Sequence, residues 1–145
     1  MKLLVTSTRG GSPPWADMAA EDYGRRLRRY FPFEERLWKP AEELRFWKES
    51  APRSRVVLLD ERGQDLDSPG LALWLEEAAR DAVSCFHFAI GGAYGHPLEA
   101  RPHAWRQLRL STLVLNQAVA RVVLLEQLYR ACTIRAGEPY HHGST

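Results

Sequence analysis

Two stretches restrict the fold of this chain more than any others: RVVLLD at residues 55–60 and CFHFAI at residues 85–90. Neither alternates apolar with polar residues, as a strand with one wet face does. Short unbroken apolar runs of this kind read as strands covered on both faces, the usual condition in a parallel sheet. Parallel neighbours need a crossover between them, and the segment after Asp60 supplies one. Ser68 is placed to cap a helix with Pro69 in its first turn. Leu71, Leu75 and Ala78 then carry helical spacing to about residue 82.

The rest of the chain repeats this alternation. KLLVTST, residues 2–8, reads as a strand, and RGGSPP as a turn. Residues 15–30 read as a helix, with Met18, Ala19, Tyr23, Leu27 and Tyr30 at helical spacing. A strand follows over 33–39 and a short helix or turn over 41–49. Beyond residue 90 come a weak helix over 98–103, a short strand over 107–110 and a long helix over 117–134. The expected class is α/β, a mainly parallel sheet with helices on both faces. At 145 residues the chain fits one domain, 1–145, without repeat or linker.

Composition excludes several classes. With 45% hydrophobic and 26% charged residues the chain reads as globular, not disordered. A net charge of +2 does not by itself announce a nucleic-acid binder. Arg25, Arg26, Arg28 and Arg29 crowd into YGRRLRRYF, either a phosphate-binding run or a solvated face. Cys85 and Cys132 are far apart and form no CxxC pattern, so they read as reduced core thiols. The apolar run before Arg9 is too short for a signal peptide, and no window has the length of a membrane span. The expected location is cytoplasmic, with no membrane partner.

Ligands of parallel sheets sit at the carboxyl ends of strands. DERG follows residues 55–60 in this way, and GGAYG follows 85–90. IGGAYG is neither a GK[ST] phosphate loop nor GxGxxG, and reads equally as a tight turn or a ligand loop. LLDERG alone reads as a plain loop. The helix AVARVVLLEQLYRACTI is apolar on nearly every face, so one face is expected on the sheet and another on a second subunit. Its charges must be paired or reach a polar site. Glu126 and Arg130 are spaced for an internal pair, and an arginine lining a pocket is the alternative. The end of the chain, GEPYHHGST, leaves Tyr140, His141 and His142 as a frayed tail, a metal site or part of an active site. No Asp or Cys is spaced to complete a metal set, so none is expected.

Taken in order, KLLV, VVLLDERG, IGGAYG, LRLSTL, ARVVLLEQLYRA and GEPYHH resemble the SPOUT-type ribosomal RNA large subunit methyltransferase H family. The resemblance spans essentially the whole chain. RVVLLEQLYRA followed by GEPYHH is its most specific part, and residues 38–54 its weakest. It implies a SPOUT-type α/β fold with a C-terminal trefoil knot, an exception to the rule against knots. It implies a homodimer through the helix that starts at Gln117, with S-adenosyl-L-methionine bound in the knot. The implied reaction is methylation of N3 of a pseudouridine in a 23S rRNA stem-loop of the assembled ribosome.

Carried onto this sequence, the cofactor site has three loops. The first is bounded by Leu59 and Gly63, and the second holds Gly91, Gly92 and Gly95. The third is Leu110, Ser111, Thr112, Leu113, Val114, Leu115 and Asn116. Arg130, Tyr140 and His141 fall on family positions near the RNA target. Arg130 would then stabilise charge on the uracil oxygens, and His141 would accept the N3 proton or hydrogen-bond a phosphate. Val114 and Gln117 stand where the family has threonine and histidine. Asn116 replaces a proline, and Arg109 a small serine. The alternatives are a knotted protein that binds S-adenosylmethionine and RNA without transfer, and a methyltransferase with a shifted substrate.

Overall fold

The two apolar runs lie side by side in one sheet, Val57 opposite Phe88. The computed structural model describes residues 1–8, 12–49 and 53–143. Its strands are β1 (Lys2–Thr8), β2 (Phe33–Trp38), β3 (Ser54–Asp65), β4 (Cys85–Ile90) and β5 (Ala104–Arg109). They pair in parallel in the order β2-β1-β4-β3-β5. The helices are α1 (Pro14–Leu27), α2 (Pro40–Lys48), α3 (Ser68–Arg80) and α4 (Gln117–Ala136), with a 3-10 helix at Leu98–His103.

The double burial has a direct cause. Leu3, Val5, Val57, Phe86 and Phe88 face a core shared with α1, α3 and α4. On the opposite face Val56, Leu58 and Ala89 meet Trp38, Trp47 and Ala100, under α2 and the 3-10 helix. α4 packs between α1 and α3. It buries Leu124, Leu125, Leu128, Ala131 and Cys132 but leaves Val119, Val122 and Val123 half-buried. One face of α4 is thus packed within the chain, and the other, expected against a second subunit, is left half-buried. Both cysteines are free, and burial pushes the Cys132 thiol up to about 12.

Several boundaries differ from the sequence reading, each for a local reason. The helix over 15–30 stops at Leu27, where turns through Arg29 and Tyr30 lead to Pro32, and the residue before a proline is steered away from helix. Asp67, not Ser68, caps α3: its Oδ1 accepts from the Gly70 N–H at 2.8 Å. The Ser68 hydroxyl instead reaches Gln127 on α4 at 2.5 Å. β3 runs past Asp60 to Asp65 because DERG is an excursion within the strand. Leu59 and Gln64 both pair with Leu108 across it. Only glycine fits at 63, since a Cβ there would lie 2.7 Å from the backbone of Gln107 and Leu108. Half of the RGGSPP turn, residues 9–11, lies outside the described residues.

His87, in the middle of β4, is fully buried. Its Nε2 lies 2.7 Å from Thr6 Oγ1, and its ring stacks on Trp47 with centroids 5.2 Å apart. Burial pushes this imidazole down to about 3. It is neutral in the fold, whereas the same residue in the unfolded chain takes up a proton near pH 6.5. Its contribution is thus complete above about pH 6.5 and is lost as pH falls from there toward about 3. The lowered carboxylates Asp17, Glu34 and Asp65 act only at more acid pH. Urea denaturation should therefore show a loss on the order of 1 kcal/mol between pH 7.5 and 5.5. His87→Phe should abolish that loss. A wild-type chain equally stable at both pH values would contradict this account.

Candidate functional site

Three loops meet at the carboxyl end of the sheet around a cavity of about 660 Å³. From the first come Leu59, Asp60, Glu61 and Arg62, and from the second Gly91, Gly92, Ala93, Gly95 and His96. The third supplies Leu110, Ser111, Leu113, Leu115 and Asn116. Gln117 and Ala120, in the first turn of α4, complete the wall. Most residues named from the sequence for a cofactor thus line one cavity. Gly63 lies beneath β5, and Thr112 and Val114 are exposed outside the lining. The glycine loop folds back tightly: the Gly95 N–H donates to the Gly92 carbonyl at 3.0 Å, and Gly95 holds a φ of +81°. That turn opens backbone polar groups to a ligand without side chains in the way.

His96 was not singled out by the sequence reading, although it directly follows the glycine loop. Its Nε2 lies 2.9 Å from the Leu59 carbonyl, which can only accept. The proton is therefore on Nε2, and Nδ1 is a buried acceptor without a partner among the described residues. Arg109 forms a bidentate pair with Asp65 at 2.8 and 2.7 Å. It fixes the rim of the cavity where the extended β3 meets β5.

The start of α4 explains two departures noted in the sequence. Asn116 is the N-cap, its Oδ1 accepting from the Val119 N–H at 2.9 Å. Gln117 Nε2 donates to the Thr8 carbonyl at 2.7 Å and to the Gly91 carbonyl at 3.3 Å. One side-chain amide thereby ties the ends of β1 and β4 to α4.

The chain's end is held against α4. Arg130 donates twice to Glu126 Oε1, at 3.0 and 2.6 Å. Its Nη1 also lies 3.1 Å from His141 Nδ1, and its guanidinium sits 4.9 Å from the Tyr140 ring centre. Tyr140 packs edge-on to Tyr129 at 4.7 Å and donates to Glu126 at 3.3 Å. Arg130, Tyr140 and His141 are therefore one cluster with Glu126. Of the two sequence readings of Arg130, the internal pair with Glu126 is the one seen; Arg130 lines none of the described cavities. The Glu126 pair raises the Arg130 pKa, and burial with the Glu126 charge raises that of Tyr140, so the first stays charged and the second stays a donor. Arginine cannot accept, so His141 Nδ1 does, and its proton is on Nε2. His142 is exposed, and the last two residues lie outside the described chain. Among the described residues no three His, Cys, Asp or Glu side chains gather as a metal site, and no helix is long and apolar enough to cross a membrane.

The arginine run divides. Arg26 pairs with Asp22 at 3.2 Å and lies 5.4 Å from the ring centres of Tyr23 and Tyr129. Arg25, Arg28 and Arg29 are exposed.

Comparison with known proteins gives a consistent result. The family model described as "Predicted SPOUT methyltransferase" matches residues 1–141. A ribosomal RNA large subunit methyltransferase H of Geobacter metallireducens is 41% identical over 153 residues, covering 98% of this chain and 99% of that protein. Its namesake in Geobacter sulfurreducens is 40% identical, over 98% of this chain and 100% of that protein. The one in Pelobacter propionicus is 38% identical over the same shares.

The bridge made by Gln117 is open to test. Gln117→Ala should cost about 1 kcal/mol in urea denaturation, the usual worth of such bonds. Gln117→His, with one ring N–H available to the same carbonyls, should recover part of it. Unchanged stability in the alanine variant would show that the bridge contributes nothing.

Proposed function

The chain belongs to the SPOUT methyltransferase family, and we propose that it methylates large-subunit ribosomal RNA with S-adenosyl-L-methionine as donor. The target is N3 of a pseudouridine in a 23S rRNA stem-loop. The observation that carries this reading is the meeting of the three loops in one cavity at the strand ends, in a chain so similar to proteins of that name. The proposed protein is one domain, 1–145, whose C-terminal part forms a trefoil knot, and it acts in the cytoplasm.

The residues present fit the donor. The loops offer backbone groups for its amino-acid and ribose parts, and His96 Nδ1, a buried acceptor at the wall, suits the amino group of adenine. Leu59, Gly91, Gly92, Gly95, Leu110, Ser111, Leu113, Leu115 and Asn116 would hold it, with Gly63 shaping the first loop and Thr112 and Val114 the third. When bound, the donor supplies a methyl group already activated on a sulfonium. The chain's task is to align N3 with it and stabilise loss of the N3 proton. Arg130, held charged by Glu126, would offset the negative charge on the uracil oxygens. Tyr140 would pack beside it. His141, with its proton on Nε2, enters as a hydrogen-bond donor to a base oxygen or phosphate; accepting the N3 proton would require Arg130 to release Nδ1.

A homodimer completes this arrangement. The donor cavity ends at Ala120, ten residues before Arg130, or roughly 15 Å along α4. Within one chain the tail cluster is thus distant from the donor. The half-buried Val119, Val122 and Val123, with Leu113 and Val114 exposed nearby in sequence, form an apolar stripe suited to a second copy. Across such an interface the tail cluster of one protomer would reach the cavity of the other. Arg25, Arg28 and Arg29 would then supply phosphate contacts.

Two results are expected. Arg130→Ala should lower methyl transfer from labelled donor to ribosomes lacking the modification by about a hundredfold or more. Its donor affinity by calorimetry should be unchanged, and transfer at the wild-type rate would remove Arg130 from the site. Val122→Arg should give a monomer by light scattering, with transfer lost. A persistent dimer would exclude α4 as the interface.

A further inference from the structure

A second cavity, of about 450 Å³, adjoins the donor cavity and shares Asn116 and Gln117 with it. Ser7, at the carboxyl end of β1, lies within it and is only 2% exposed. Its Oγ has no hydrogen-bond partner among the described residues. A buried hydroxyl without a partner is rare enough to require an explanation, and a bound ligand is one. Trp15 stands in the lining with half its surface open, 52% exposed, and Pro13 and Leu37 add apolar walls. Gln117 has spent its amide hydrogens on Thr8 and Gly91, and its oxygen remains an acceptor.

Charge decides what kind of ligand fits. Arg121 is the cation of this cavity, but four of its five N–H groups are already taken. It donates to Glu35 at 2.7 and 2.8 Å, to Asp17 at 2.7 Å and to Ser12 at 3.0 Å. Glu35 and Asp17 do not line the cavity, but both pair with Arg121, so the wall offers no unpaired cation to a phosphate. What remains is an open indole face with a hydroxyl and an amide oxygen beside it. That combination suits a flat, uncharged heterocycle with donors and acceptors on its edge.

We propose that this cavity receives the acceptor nucleobase. Trp15 stacks on its face, and Ser7 Oγ and the Gln117 amide oxygen bond its edge. The inference rests on the reading of the chain as an RNA methyltransferase, and it adds the place where the extruded base is held. The two cavities meet at Gln117, so a base seated here lies next to the donor.

The test compares wild type, Trp15→Ala, Trp15→Phe and Ser7→Val. Methyl transfer to ribosomes lacking the modification is read beside donor binding by calorimetry and thermal melting. Trp15→Ala should raise the KM for ribosomes about tenfold or more, the worth of one base stacked on an aromatic ring, while Trp15→Phe stays within about threefold of wild type. Donor affinity and melting temperature should not move in either, because Trp15 is half exposed and lies outside the donor cavity. Ser7→Val should lower transfer without weakening donor binding. If that variant fails to fold, the Trp15 pair decides alone. Wild-type kinetics in Trp15→Ala would overturn the cavity assignment and leave the methyltransferase reading standing. A wild-type chain that binds donor but methylates no ribosomes would overturn both.

Discussion

Arg121 occupies the junction on which the rest of this architecture hangs. A guanidinium that is 7% exposed is sustainable only if its donors are met. Here they reach Glu35 on β2, Asp17 on α1 and Ser12 in the segment between β1 and α1. Those bonds, Glu35 first, raise its pKa well above the ordinary arginine value, so it stays charged wherever the protein is folded. The two partners are unequal. Glu35 is largely buried and its attraction little screened, whereas the Asp17 side chain is half exposed and contributes less. Loss of Glu35 would strand a buried charge; loss of Asp17 would loosen one corner.

Fixing Arg121 fixes the first turn of α4 above the ends of β1 and β4. Gln117, one turn earlier, then reaches both strands, and Ala120 closes the donor cavity. The same rigid helix carries Arg130 and Glu126 two to three turns further on, where Tyr129 and Tyr140 pin the tail. One element thus sets both halves of the proposed chemistry, and its own length keeps them apart in a single chain. The apolar stripe of Val119, Val122 and Val123 lies between these two halves in sequence, so the proposed second copy would resolve both the unfilled burial and the separation.

Much of this was legible in the sequence, and the rest was hidden for identifiable reasons. The unbroken runs at 55–60 and 85–90 reported double burial, because helices on both faces leave no polar positions to alternate. The loops after them could be located as ligand loops but not interpreted, since a glycine turn and a ligand cradle share composition. The excursion of β3 was invisible: it depends on where Leu108 falls across the sheet, not on any local signal in DERG. His87 passed unnoticed inside an apolar strand because its partners, Thr6 and Trp47, are remote in sequence. Arg121 was seen as a charge needing partners, but neither Asp17 nor Glu35 could be chosen from the sequence.

The departures from the family pattern bear on whether donor binding is joined to transfer. All three at the start of α4 fall where local geometry tolerates them. Asn116 replaces the stiffness of a proline with a capping carbonyl that meets the Val119 N–H, and the helix starts directly after it. Val114 is 77% exposed and does not line the donor cavity. Gln117 is the decisive one. A neutral histidine offers one ring N–H to the Thr8 and Gly91 carbonyls, whereas the glutamine amide offers two hydrogens and keeps a free acceptor. Glutamine therefore supplies a bridge between the strand ends and α4 in this chain. It also replaces a group that can change protonation near neutral pH with one that cannot. The proposed chemistry therefore falls to the Arg130–Glu126–His141 cluster, whose hydrogen bonds are formed.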